Sequence, residues 1–292
     1  MEDKKAVNKQ SFIDKIKAYR RHPLSFLLLL LVLTAAFITV ATLVFLVAYI
    51  LITGIPHLKP SLFAWEYNSE NVSMVPAVFN TIEMVIIALL FAVPFGVGAA
   101  IYLVEYAKKG NKIVGLVRLT AETLTGIPSI IYGLFGMLFF VTALGWRNSI
   151  LSGAMTLAIM VLPTIMRTTE EALLSVPGSY REGSFGLGAG KLRTVFQIVL
   201  PAAIPGILSG VILSVGRIVG ETAALIYTAG TVAGLAGIMD SGRTLAIHMY
   251  VLSNEGLHQN EANATAVVLL FIVLGINAVS SRLAKKLEAP EA

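Results

Sequence analysis

The sequence predicts an all-α fold, a polytopic membrane helix bundle of about six transmembrane helices, and three observations carry that prediction. Of 292 residues, 56% are hydrophobic and only 13% charged, whereas a soluble domain carries about a quarter charged residues. The charges are clustered, leaving charge-free runs at 23–56, 84–104, 123–146, 148–166, 194–216 and 262–281. Each run meets or approaches the roughly 20 apolar residues a helix needs to cross about 30 Å of hydrocarbon. Buried helices of a soluble core, at about 10–14 residues, leave no gaps of that length. Lys and Arg are also distributed unevenly along the chain, which sets an orientation.

The chain opens with a polar segment, 1–22, that holds seven Lys and Arg residues and is expected to be cytoplasmic. The first span is read at 24–52. It is far longer than a signal-peptide apolar region and no A-x-A site follows it closely, so it is expected to stay as an anchor. An outer loop follows, with Trp65 and Tyr67 at interfacial positions. The second span is 75–106, and the basic turn 107–112 returns the chain inside. The third span is 113–144, followed by a tight outer turn. The fourth is 149–167, and a polar cytoplasmic segment, 168–200, comes next. The fifth is 204–229, then an outer segment, 230–261, and the sixth is 263–281. The transmembrane domain is thus 23–282, followed by a cytoplasmic tail, 283–292.

The loops assigned to the outside hold only Lys59, Arg147 and Arg243 as Lys or Arg. The positive-inside rule therefore places both termini in the cytoplasm. The net charge of +5 reflects topology. It is not a nucleic-acid footprint, because no basic patch is interleaved with aromatics. The absence of cysteine excludes disulfides and thiolate metal sites. His57, His248 and His258 show no metal-ligand spacing. No catalytic constellation and no metal site is expected, which argues against a membrane enzyme. No internal repeat is visible, which weakens the case for a self-sufficient, proton-linked secondary anion transporter.

Two stretches carry chemistry. The first is REGSFGLGAGKLRTVFQIVLPAAIPG, beginning at Arg181. A short helix is expected around 177–187, ended by Gly186, Gly188 and Gly190, with Pro201 near the start of the next span. Such an element reads either as an ordinary interhelical loop or as a helix that docks in a partner's groove. The second is GRIVGETAALIYTAG, 216–230. Arg217 falls about 20 Å along its helix from Ile204, near mid-bilayer, where an Arg costs at least about 2.5–3.5 kcal/mol. Glu221, four residues on, is expected on the same face. Gly206, Gly210 and Ser214 share that face, and Gly206-x3-Gly210 and Gly216-x3-Gly220 are expected to allow close backbone approach. The Arg–Glu pair either braces the bundle or lines an anion pathway, since the guanidinium fork matches tetrahedral oxyanions. Arg118 and Glu122, also four apart, read as a stabilising surface pair.

The spacing of Glu182, Gly183, Ser184, Gly188, Ile198, Leu200 and Pro201 resembles the EAA loop of ABC-importer permeases, E-A-A-x3-G-x9-I-x-L-P, with Gly183 and Ser184 replacing the two alanines. The stretches 121–136, 162–173 and 216–230 further resemble the A-type (PstA-type) permeases of phosphate-specific ABC importers. The resemblance covers most of the chain after Asn80. It implies a type I ABC importer permease fold and a coupling helix at 175–190 that seats in an ATPase subunit. It also implies a phosphate path involving Arg167, Glu170, Arg217 and Glu221. The implied partners are a second permease subunit (C-type), an ATPase subunit dimer, an extracytoplasmic phosphate-binding protein and membrane lipid. ATP would be bound by the partner: the run Gly186–Lys191 lacks the first Gly of a phosphate loop and has Leu192 where Ser or Thr is needed. No cofactor is expected in this chain.

Overall fold

The computed structural model describes residues 23–108 and 110–287. The expected cytoplasmic segment 1–22 lies outside the described residues, as do Lys109 and 288–292. The fold is helical throughout, in two units, the first ending at Ile52 and the second beginning at Thr53.

The first unit is carried by α1 (Pro23–Gly54), about 48 Å long by its 32 residues at 1.5 Å each. Its side chains are apolar on every face. The hydroxyls of Thr34, Thr39 and Thr42 donate to carbonyls four residues back, which satisfies them within the helix, as hydrocarbon requires.

In the second unit, α2 (Val75–Ile101) continues as a π turn at Tyr102–Tyr106. Next come α3 (Lys112–Thr125) and α4 (Ser129–Gly136), with a π-helical extension at Met137–Ala143. The most buried element, α5 (Ile150–Ser175), forms the centre of the bundle. The short α6 (Gly178–Gly186) and α7 (Lys191–Thr194) precede a π turn that runs straight into α8 (Leu200–Val219). The bundle is completed by α9 (Ala223–Thr228), α10 (Leu245–Glu255) and α11 (Gln259–Leu287).

Around α5, small residues set the spacing. A Cβ on Gly210 of α8 would lie 2.6 Å from the Cβ of Thr168, and one on Gly136 of α4 would lie 2.8 Å from Cγ2 of Thr228. Close backbone approach through small residues supplies the dispersion that drives helix association in lipid. The second expected pair, Gly216 and Gly220, meets no such neighbour: the nearest atoms lie 3.9 and 3.7 Å away.

Among the described residues five helices are long and apolar enough to cross a membrane, and six if one bent pair counts as a single span. That pair is α3 and the α4 segment, which meet at 102°, where a single continuous span at 113–144 was expected. The break falls at Gly126-Ile127-Pro128. Pro128 has no N–H to continue the ladder and disfavours helix in the residue before it. The Leu124 carbonyl, which loses its helical donor at Pro128, accepts instead from the Ile127 amide at 3.1 Å and from the Tyr132 hydroxyl at 2.8 Å. The fourth helix runs past Arg167 to Ser175. The fifth is helical from Lys191 and stops at Val219, so of the expected loop 168–200 only 176–190 lies between the two long helices.

The segment 230–244 closes one end of the bundle. The carbonyls of Asp240 and Ile238 accept from the Ile150 and Leu151 amides at the start of α5. Asn80, fully buried on α2, bonds Gly234, Ala236 and Arg243 of that segment. Beneath it Arg243 lies over the Tyr67 ring, 4.6 Å from its centroid, and Tyr67 meets the buried His248 edge-on. Among the described residues neither ring nitrogen of His248 makes a well-aligned hydrogen bond, although the Val72 backbone lies within reach.

Burial first, and the Arg243 cation second, push His248 from an ordinary 6.5 down to about 3. The folded protein therefore holds a neutral imidazole that the unfolded chain would protonate. The stability this supplies is complete above about pH 6.5 and is lost as pH falls toward 3, with a slope approaching about 1.4 kcal/mol per pH unit. Thermal unfolding in detergent at stepped pH should show this loss in the wild type, and His248→Gln should flatten it.

Candidate functional site

Four of the charged side chains singled out in the sequence meet at one end of α5, with partners exchanged relative to expectation. Arg118 on α3 pairs with Glu170 on α5, Nη2 to Oε1 at 2.5 Å. Arg167 on α5 pairs with Glu122 on α3 at 3.3 Å and with Glu171 one turn along at 3.4 Å. Arg118 and Glu122 are therefore not a pair with each other, as their spacing suggested. The two helices run antiparallel, so each offers an Arg and a Glu to the other. The result is a crossed double bridge holding α3 against α5. Glu170 is its most buried member, with a side chain 11% exposed. A cavity of about 220 Å³ opens here, lined by these five charged residues with Ala121, Met166 and Leu174. Two guanidiniums face three carboxylates, a net charge of −1.

Arg217 and Glu221 lie elsewhere. Gly206 packs on Ala172 and Gly210 on Thr168. Carried along that antiparallel register, Arg217 falls level with about Val161, near the midpoint of α5. It lies within electrostatic reach of Tyr132, beside the α3–α4 break. The expected Arg217–Glu221 bridge is not formed. α8 ends at Val219 with Gly220 as its cap, so the turn that would bring the two side chains together does not exist. Glu221 instead accepts from the Ala224 amide at 3.1 Å, satisfying a free N–H at the start of α9. Among the described residues Arg217 has no ion pair. The structure thus gathers Arg167 and Glu170 in one cluster, leaves Arg217 alone at mid-bundle, and gives Glu221 a backbone partner. The α3 contribution to the cluster was hidden because both of its charges appeared to satisfy each other locally.

The segment expected to couple to an ATPase is well formed. Its expected helix, around 177–187, is α6. Leu187 N–H donates to Gly183 and Gly188 N–H to Phe185, and Gly188 takes a left-handed φ of +83°. Ser184 is buried and its hydroxyl meets that of Thr194 at 2.8 Å, stitching α6 to α7. Glu182, Gly183 and Gly188 are exposed, and a Cβ on either glycine would meet only open space. Ile198 and Leu200 are half-buried and Pro201 is exposed. Ser184, Gly188 and Ile198 help line a groove of about 340 Å³, beside which Leu187 stands 91% exposed. Among the described residues no group of acidic, His or Cys side chains could hold a metal.

Residues 92–289 match the family described as binding-protein-dependent transport system inner membrane component. The chain is 34% identical to a probable ABC transporter permease protein, YqgI, of Bacillus subtilis, over 83% of this chain and 88% of that protein. It is 33% identical to the phosphate transport system permease protein PstA of Mycobacterium leprae, over 69% of this chain and 67% of the relative. With PstA 1 of Mycobacterium tuberculosis the identity is 38%, over 53% of this chain and half of the relative's length. Among solved structures, a chain of the MetNI methionine ABC transporter in an inward-facing conformation superposes with a TM-score of 0.63. Its sequence identity is 22%, covering 73% of this chain and 95% of that one. A bacterial ABC transporter involved in alginate import superposes at 0.60, with 17% identity, covering 91% and 99%. Identities this low speak for the fold alone, which is that of type I ABC importer permeases.

The crossed bridge makes a prediction. Arg118→Ala leaves the largely buried Glu170 without its partner, which costs more than the pair itself contributes. The thermal midpoint in detergent should fall, and adding Glu170→Gln should recover at least half of the loss. Glu171→Gln, which removes a well-exposed carboxylate, should change the midpoint little. Equal effects from Arg118→Ala and Glu171→Gln would contradict the arrangement.

Proposed function

Since the chain belongs to the family of inner membrane components of binding-protein-dependent transport systems, we propose that it carries inorganic phosphate across the membrane, with Arg217 as the group that meets the anion. The chain is a multi-pass permease subunit of an ABC importer, and not an enzyme. Phosphate as the substrate is supported by the relatives named as phosphate transport permeases. The observation that carries the role of Arg217 is that, among the described residues, it has no ion-pair partner at the middle of the bundle.

The three arginines of the region divide by their surroundings. Arg118 and Arg167 already have carboxylates, and their chamber is net negative, so a phosphate anion gains little by stopping there. Arg217 has no carboxylate to displace. Its planar fork can take two oxygens of a tetrahedral oxyanion at once, and low local dielectric strengthens that attraction. A phosphate released from Arg217 would pass the α3–α4 break and reach the inner mouth lined by Arg167 and Glu170. There an excess of carboxylate favours its departure to the cytoplasm. Glu221 serves this path at one remove, by fixing the turn that follows Arg217.

In this reading the chain forms the path together with a second, C-type permease subunit. A binding protein outside delivers phosphate, and a pair of ATPase subunits supplies ATP binding and hydrolysis. The coupling segment, with Glu182, Gly183, Ser184, Gly188, Ile198, Leu200 and Pro201, seats on the ATPase from the cytoplasm, the side on which both termini lie. The groove beside Leu187 suits a partner surface, and burying a misplaced charge there would be costly. The test is uptake of labelled phosphate by the complex reconstituted in vesicles. Uptake should require both ATP and the binding protein, and should be suppressed by unlabelled phosphate far more than by sulfate. Uptake without ATP, or equal suppression by sulfate, would contradict the proposal.

A further inference from the structure

Where α2, α5 and α6 meet, one guanidinium touches all three. Arg181 on α6 donates from Nε and Nη2 to Oε1 of Glu105, at 3.0 and 2.7 Å, on the π turn that ends α2. Its Nη1 donates to the Val176 carbonyl and its Nη2 also to the Leu173 carbonyl, both at 2.9 Å. Those carbonyls belong to the last turn of α5 and the residue after it, where helical groups lack internal partners and the helix dipole favours a cation. The pair is well removed from water, with side-chain exposures of 20% for Arg181 and 9% for Glu105. A second tie runs parallel to the first: the Lys191 ammonium of α7 sits over the Tyr106 ring, 5.1 Å from its centroid.

We propose that Arg181 is the positioning residue that transmits motion of the coupling helix into the membrane bundle. The inference rests on the reading of α6 as the element that seats on the ATPase, and adds the route by which its displacement travels. Most residues of α6 are exposed; besides Arg181 it packs on α7, where Ser184 meets Thr194, and on the π turn that leads into α8, so Arg181 is its polar tie to α2 and α5. A push on α6 delivered through a four-bond, largely buried guanidinium moves the ends of α2 and α5 together. α5 carries Glu170 one turn above Leu173, so the first structure to feel the movement is the crossed bridge with α3. Lysine at 181 would keep the charge, but a single ammonium cannot reach Glu105 and both carbonyls in the fork geometry.

The experiment uses the complete transporter in vesicles, with two readouts. One is phosphate taken up per ATP hydrolysed. The other is the ATP-dependent change in distance between spin labels at Lys112→Cys and Leu174→Cys, across the inner mouth, in a chain with no cysteine of its own. Arg181→Gln should keep ATP hydrolysis within about threefold of wild type, lower uptake per ATP at least about tenfold, and abolish the distance change. Arg181→Lys should fall between. A residue that merely stabilised the fold would lower uptake and hydrolysis in proportion, and that result would overturn the proposal, as would a wild-type distance change in Arg181→Gln. If Arg181→Gln does not assemble, Glu105→Gln, which leaves both carbonyl bonds in place, is held to the same two readouts. The label distance does not depend on the substrate, so a complex that hydrolyses ATP without carrying phosphate contradicts the substrate reading while the labels still decide on Arg181.

Discussion

Hydrocarbon offers no partner to a charge or to a free peptide group, and the architecture of this bundle follows from how each such group is satisfied. The threonines of α1 turn back on their own helix. Tyr132 covers the carbonyl freed at the α3–α4 break, and Glu221 covers the amide freed at the start of α9. Arg118 and Arg167 cross-pair with carboxylates between α3 and α5. Arg181 closes the last turn of α5 while holding Glu105. Arg217 stands apart, because among the described residues no carboxylate meets it. A charge left without a partner at that depth is tolerated when it faces a polar route, and this exception leads to the function.

The small residues matter because they decide which satisfied groups come within reach of one another. Gly210 brings α8 within a side chain's thickness of Thr168, and Gly136 does the same for α4. With those contacts fixed, the level of Arg217 along α5 is fixed as well. The level of Arg217, the cavity of the crossed bridge and the anchorage of α6 then lie in sequence along α5: about Val161, Arg167 and Glu170, then Leu173 and Val176. One helix, α5, therefore packs against Arg217's helix, contributes Arg167 and Glu170 to the crossed bridge and holds α6 at its last turn.

Much of this was legible in the sequence. The charge-free runs located the long helices, because a span is defined by composition over some 20 residues, and the Gly-rich end of α6 located that short helix. The misreadings have a common cause: the sequence reports local neighbours, and the errors arose where a distant partner or a backbone break overrode them. Gly126-Ile127-Pro128 carried a turn signal, but the apolar run continued through it and was read as one span. Gly220 carried a helix-stop signal, yet Arg217 and Glu221, four residues apart, were taken as a pair. Arg118 and Glu122 each found a partner on α5, about 50 residues away. Glu105 and Arg181, 76 residues apart, gave no sign of each other.

The central claim is that an unpaired Arg217 meets the translocated anion, and replacing its charge tests it most directly. Arg217→Gln keeps hydrogen-bonding capacity and approximate length while removing the cation. Phosphate uptake would be measured against the amount of assembled complex in the membrane. The account predicts normal assembly, uptake lowered by about 10- to 100-fold, the worth of a charge-assisted hydrogen bond or two, and an intermediate value for Arg217→Lys. Uptake by Arg217→Gln close to that of the wild type would contradict it.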